Sequence, residues 1–117
     1  MQIDSETLDH GILKVSLSGR MDIPGVQTID TKFTELTATQ RAFVLVDITE
    51  VSFLTSLGVR IMLSSAKALL NHDGHMVLYN PQPIVLDVLK SMGVSSLIPH
   101  YDKLENALND LIARQTG

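Results

Sequence analysis

The 117-residue chain contains no cysteine. Disulfides, thiol catalysis and cysteine metal sites are therefore excluded. Aromatic residues are few: no tryptophan, two tyrosines and three phenylalanines. Phe33, Phe43, Phe53, Tyr79 and Tyr101 lie scattered along the chain and offer no platform on which bases would stack. Basic residues are in the minority, nine Lys and Arg against thirteen Asp and Glu, for a formal charge of −4. A nucleic-acid binder would carry a basic patch, and none is visible. Hydrophobic runs are short, and none approaches the ~20 residues of a membrane span. The opening MQIDSETLDHG is polar and acidic, without the apolar core of a signal peptide. The expectation is a cytoplasmic protein with no membrane insertion.

Apolar residues make up 44% of the chain, enough for a real core, and charged residues 19%. The length fits one domain, expected over residues 1–117 with a core of about 3–113, and leaves no room for a second. No internal repeat, low-complexity segment or linker interrupts it.

Residues 2–8 and 11–18 read as two strands joined by the turn Asp9-His10-Gly11. Leu13, Val15 and Leu17 alternate with Lys14, Ser16 and Ser18, the period of a half-buried strand. Pro24 suits the first turn of a helix. Val26, Ile29, Phe33 and Leu36 follow at helical spacing, and the pattern fades near Thr39. FVLVDI, residues 43–48, is a continuous apolar run and predicts a strand covered on both faces, followed by a connecting loop. A helix then starts at Thr55-Ser56. Arg60, Ser64, Lys67 and Asn71 form its polar stripe, with Val59, Met62, Leu63, Ala66, Leu69 and Leu70 opposite. HMVLYN, 75–80, is the next strand. Asn80 and Pro81 read as the cap and first residue of a helix that carries Ile84, Val85, Val88, Leu89 and Met92 and ends at Gly93. SLIPHY is a short extended piece. Asp102 and Glu105 resemble a capping box before a last helix faced by Leu104, Leu108, Leu111 and Ile112. The order is ββαβαβα(β)α. It predicts an α/β domain with a mixed sheet of four to five strands and about four helices.

VSFLTSLGVRIML, residues 51–63, carries the chemistry worth weighing. Ser56 as a nucleophile would need an elbow of the form G-x-S-x-G, and the upstream glycine is missing. It would also need a base. His72 stands at the far end of the same helix, roughly 24 Å away at ~1.5 Å per residue. His75 lies beyond it, and nothing supports His100. The run His72-Asp73-Gly74-His75 reads as a polar turn, with too few ligands for a metal site. Thr55 or Ser56 is expected to cap the helix with its hydroxyl. Gly58 in the first turn sacrifices helix propensity, either for close packing on the sheet or for the approach of another chain. The same geometry suits a switch. A helix start offers free amides and a positive dipole end to a phosphate, which would expel a partner packed there.

Three segments resemble the STAS domain, the fold of bacterial anti-sigma factor antagonists and of the cytoplasmic tails of sulfate transporters. LSGRMD (17–22) is similar to L-x-G-x-x-D. VLVDITEVSFLTSLGVRIML (44–63) is similar to D-L-S-x-V-x-F-[IM]-D-S-[ST]-G-[LV]-x-x-[LI]. LYNPQPIVLDVLKSMGV (78–94) is similar to L-x-N-x-x-x-x-V-x-x-x-L-x-x-x-G. The resemblance implies a non-enzymatic partner-switching module without cofactor or metal. Its implied partner is an anti-sigma factor of the serine-kinase type, which phosphorylates the residue just before the motif glycine. That position is Leu57 here, and the acidic position is Thr55. The switch is thus expected to be altered or absent, with Ser56 and Thr55 as the remaining acceptors. Asp22, Thr55, Ser56, Leu57, Gly58 and Arg60 form the expected partner-binding face, and Leu57→Asp is expected to abolish binding with the fold intact. Asp22 reads equally well as a plain turn-and-cap residue. The alternative is an unphosphorylated STAS scaffold or the cytoplasmic subunit of a transporter complex. A homodimer is compatible with either.

Overall fold

Five strands lie side by side in the order of the sequence: β1 (Gln2–Thr7), β2 (Leu13–Met21), β3 (Phe43–Leu54), β4 (His75–Tyr79) and β5 (His100–Tyr101). The structure is a computed structural model that describes residues 1–39 and 41–115 in full and the backbone of Thr116. Gln40 and Gly117, both within the domain expected over 1–117, lie outside the described residues. β1 and β2 are antiparallel, and every other neighbouring pair is parallel. Four helices alternate with and follow these strands: α1 (Ile23–Thr37), α2 (Ser56–Asn71), α3 (Pro83–Ser91) and α4 (Leu104–Thr116). None of the described helices is long and apolar enough to cross a membrane.

The topology follows from handedness. Each crossover from β2 to β5 moves one strand in the same direction. Right-handed connections then put α1, α2 and α3 on one face of the sheet. Their buried residues, among them Val26, Phe33, Met62, Leu69, Val85 and Leu89, join Val15, Leu17, Val44, Val46 and Ile48 in the main core. α4 covers the other face. Ala107 and Leu111 pack there against Ile12, Phe43, Leu45 and Val77. β3 thus feeds alternate side chains to two cores, which explains its unbroken apolar start. On β2 the second face is polar instead, and half-buried Lys14 reaches Glu6 at 3.8 Å and Asp47 at 3.7 Å.

Several boundaries differ from those read in the sequence. β3 runs on to Leu54, so residues 49–54 are strand rather than loop, because they keep pairing with β2 up to Met21–Leu54. β2 starts at Leu13 and ends at Met21, with a 3-10 turn over Asp9–Gly11 before it. Asn80 does not cap α3. It turns the chain at φ 60, Gln82 stands at the N-cap, and the helix begins at Pro83. Gln82 Nε2 instead donates to the Thr49 carbonyl at 2.9 Å, holding the loop to β3. The Asp102–Glu105 box does not form. The first bond of α4 runs from the Ala107 amide to the Lys103 carbonyl, which sets the cap one residue later. Ser96 and Leu97 are not extended; a 3-10 turn over Val94–Ser96 with Leu97 as its cap comes first, and β5 has two residues. Leu70, Ile84, Met92 and Leu104, read as core-facing, are exposed. Met92 stands at the C-cap of α3, past its last helical residue, and Leu104 is the first residue of α4.

Candidate functional site

β2 and β3 end together, Arg20 beside Phe53 and Met21 beside Leu54. The next residues, Asp22 and Thr55, open α1 and α2. The carboxyl ends of parallel strands are where α/β sheets present their sites. A bond pair ties the two turns. The Thr55 amide donates to the Met21 carbonyl at 3.1 Å, and Thr55 Oγ1 donates to the same oxygen at 2.7 Å.

That arrangement separates the two adjacent hydroxyls. Thr55 occupies the N-cap position of α2, but its side chain makes no cap bond; it is spent on β2. Ser56 is the first helical residue, exposed, with its hydroxyl unpartnered among the described residues. The expectation that one of the pair caps the helix by its hydroxyl is therefore corrected. The first intrahelical bond is from the Val59 amide to the Thr55 carbonyl at 3.1 Å. The amides of Ser56, Leu57 and Gly58 thus have no intrahelical acceptor.

Gly58 has a packing role. A Cβ there would lie 2.8 Å from Leu54 Cδ1 and 3.1 Å from Met21 Cβ. Leu57 is half-buried and packs on the main core. Leu57→Asp would therefore disturb packing as well as the surface, contrary to the expectation of an intact fold. Arg60 is exposed and forms no ion pair among the described residues.

Asp22 caps α1. Its Oδ1 accepts from the Gly25 amide at 2.9 Å, and the Val26 amide donates to its carbonyl at 2.9 Å. The Gly25 bond, helped by Arg20, holds the Asp22 carboxyl below its ordinary range. Gly25 is enforced sterically, since its Cβ would fall 1.9 Å from the Arg20 carbonyl oxygen. Arg20 also lies over the Phe53 ring, 4.3 Å from its centre. Neither this stack nor Ile23, 59% exposed beside the cap, was expected from the sequence. An isoleucine between a cap aspartate and a proline was the available signal, because the first helical position rarely faces a core.

None of the three histidines weighed as bases meets Ser56. His72 ends α2, His75 is buried at the head of β4, and His100 Nδ1 lies 3.5 Å from Ser95 Oγ. Among the described residues, no three or more His, Asp and Glu side chains are grouped to hold a metal. What the site can do is present an apolar and polar surface with one free hydroxyl at a helix start.

The family model of the STAS domain matches residues 4–107. The chain belongs to the STAS domain family. An anti-sigma F factor antagonist from Paenibacillus polymyxa is 27% identical over 112 residues, 95% of each chain. Among solved structures, an anti-sigma-factor antagonist STAS domain protein from Planctomyces limnophilus superposes with a TM-score of 0.82 at 20% identity, covering 93% of this chain and 96% of that one. An anti-sigma factor antagonist from Mycobacterium paratuberculosis gives 0.79 at 23% identity, covering 94% of both. This STAS domain thus has the order and mixed sheet read from its sequence. Its α2 start holds Thr55-Ser56-Leu57-Gly58, the run read above as similar to the family's D-S-[ST]-G pattern.

Proposed function

We propose that this STAS domain is a non-catalytic, antagonist-like binding module of a bacterial partner-switching pathway that regulates transcription in the cytoplasm. Its proposed partner is an anti-sigma factor of the serine-kinase type. The proposed contact face is the β2–α1 junction over residues 20–25 with the first half of α2: Asp22, Ser56, Leu57 and Arg60, joined by exposed Ile23. The name of the Paenibacillus relative supports an anti-sigma factor as the partner.

The observation that carries the reading is the division of labour between Thr55 and Ser56. Thr55 is half-buried and its hydroxyl is bound to Met21. Ser56 alone offers a free, exposed hydroxyl beside unpaired amides. The switch in this chain therefore runs through Ser56, one residue before Leu57. Phosphate there adds about 1.5 to 2 negative charges to a partly apolar surface. The helix start tolerates that charge, with a favourable dipole contribution of about 0.3–1 kcal/mol. A partner that must desolvate it is released.

The test is binding of the cognate anti-sigma factor by Ser56→Glu and Ser56→Ala variants, with melting curves beside each. Ser56→Glu is expected to lose binding at an unchanged melting temperature, and Ser56→Ala to bind as the native chain does. Equal binding by both would remove this face from the interface. It would turn attention to the scaffold or transporter-subunit role.

A further inference from the structure

The two faces of the sheet are covered unequally. Three helices pack on one, and α4 alone packs on the other, over β3 and β4. On the α4 side Lys14 lies beside Leu45 in the ladder, and the register sets Glu6 and Asp4 of β1 beside Lys14 and Ser16. Both carboxylates of β1 are exposed there. Between α4 and the β1–β2 turn an open groove of about 710 Å³ remains. One wall is a row on α4, Leu104, Leu108 and Ile112, every fourth residue and roughly 12 Å long. Leu8 and Ile12 stand across from it.

The groove is held open by its own packing. Leu8, Leu108 and Ile112 rest on the smaller core, and Leu104, 39% exposed, lies outside it. Gln115 Nε2 donates to the His10 carbonyl at 2.8 Å and pins the end of α4 to the turn. The lining carboxylates, Asp9 and Glu105, form no ion pair among the described residues. Local cations are already engaged. Lys14 is shared between Glu6 and Asp47, and Arg114 is tied to Asp110 on the other flank of α4, where Asp110 also accepts from the Tyr101 hydroxyl.

These features select the occupant. A nucleic acid or an anionic lipid surface is repelled by Asp4, Asp9 and Glu105. A row of apolar side chains at every fourth residue is a ridge against which a second helix packs, and the sheet beside α4 carries no helix of its own. We propose that the groove binds an amphipathic helix of a protein partner, laid alongside α4. Its apolar stripe meets Leu104, Leu108 and Ile112, and its flanking Lys or Arg residues face Asp9 and Glu105. The groove lies on the opposite face of the sheet from α2 and Ser56. It is therefore free to be filled whether or not the Ser56 face is engaged, and either assignment stands without the other.

The experiment is an NMR titration of the full chain with a synthetic amphipathic peptide of about 18 leucine and lysine residues, its leucines on one helical stripe. Leucine and isoleucine methyl signals are followed. Saturable shifts of Leu8, Leu104, Leu108 and Ile112 are expected, and the affinity should fall as salt rises. Leu104→Asp changes a residue outside the packed core, at a helix start that favours a carboxylate, and should weaken binding about tenfold. Asp9→Asn and Glu105→Gln, both exposed, should each weaken it about two- to fivefold. Ser56→Glu should bind the peptide as the native chain does. Four outcomes overturn the proposal. They are no saturable shift at the groove, equal binding of a scrambled peptide or of a leucine–glutamate one, native-like binding by Leu104→Asp, and groove shifts that appear on concentrating the chain alone, which would give the groove to a second copy.

Discussion

Thr55→Val and Ser56→Ala should part company, although the residues are adjacent. Thr55 Oγ1 donates to the Met21 carbonyl at 2.7 Å from a half-buried position. Valine keeps the shape and loses the bond. The Met21 oxygen retains the Thr55 amide at 3.1 Å, so it is not orphaned. The net loss is then the ordinary worth of one hydrogen bond, about 1 kcal/mol. For a domain of this length the unfolding entropy is roughly 0.25 kcal/mol per degree, so Tm should fall by about 4 °C. Ser56 is exposed and unpartnered, and its alanine variant should stay within about 0.5 kcal/mol, or some 2 °C. Thermal melts by circular dichroism, backed by urea titrations, resolve that difference. The reasoning fails if Ser56→Ala loses the 4 °C and Thr55→Val loses nothing. Ser56 would then be the structural hydroxyl and Thr55 the free one.

Gly25→Ala puts a methyl 1.9 Å from the Arg20 carbonyl, a backbone atom that cannot rotate away. A loss of about 3 kcal/mol is expected in urea unfolding. Gly58→Ala sets a helix-propensity gain of about 1 kcal/mol against overpacking of about 1–3 kcal/mol on Leu54 and Met21. Its expected sign is a net loss near 1 kcal/mol, and a gain would show that α2 can lift off the sheet. Asp22 has a folded pKa below its ordinary 3.8. Its contribution is complete above 3.8 and is lost as pH falls through the lower folded value. Asp22→Asn keeps the cap without the titration, so its stability should fall less steeply on the acid side than that of the native chain.

Element order and most of the main core were legible because the periodicities were strong. β2 alternates, and α1 carries Val26, Ile29 and Phe33 on one stripe. The second half of β3 was not legible. Thr49, Glu50 and Ser52 break its apolar pattern, and only the long pairing with β2 keeps them extended. The helix starts misled for a related reason. Asn80 and Asp102 have the chemistry of caps, but local turn geometry placed the first helical bonds elsewhere. At the candidate site, the motif located the segment. It could not divide the roles of Thr55 and Ser56, because the Met21 carbonyl that claims Thr55 is 34 residues away in sequence.

The central claim is that Ser56 is the one switchable hydroxyl of the face. The most direct measurement is phosphate mapping, on protein from its native cells, of the tryptic peptide between Arg41 and Arg60. That peptide holds Thr49, Ser52, Thr55 and Ser56. Phosphate on Ser56 is the predicted result. Phosphate on Thr55, or an unmodified peptide under both growth and stress, would contradict it.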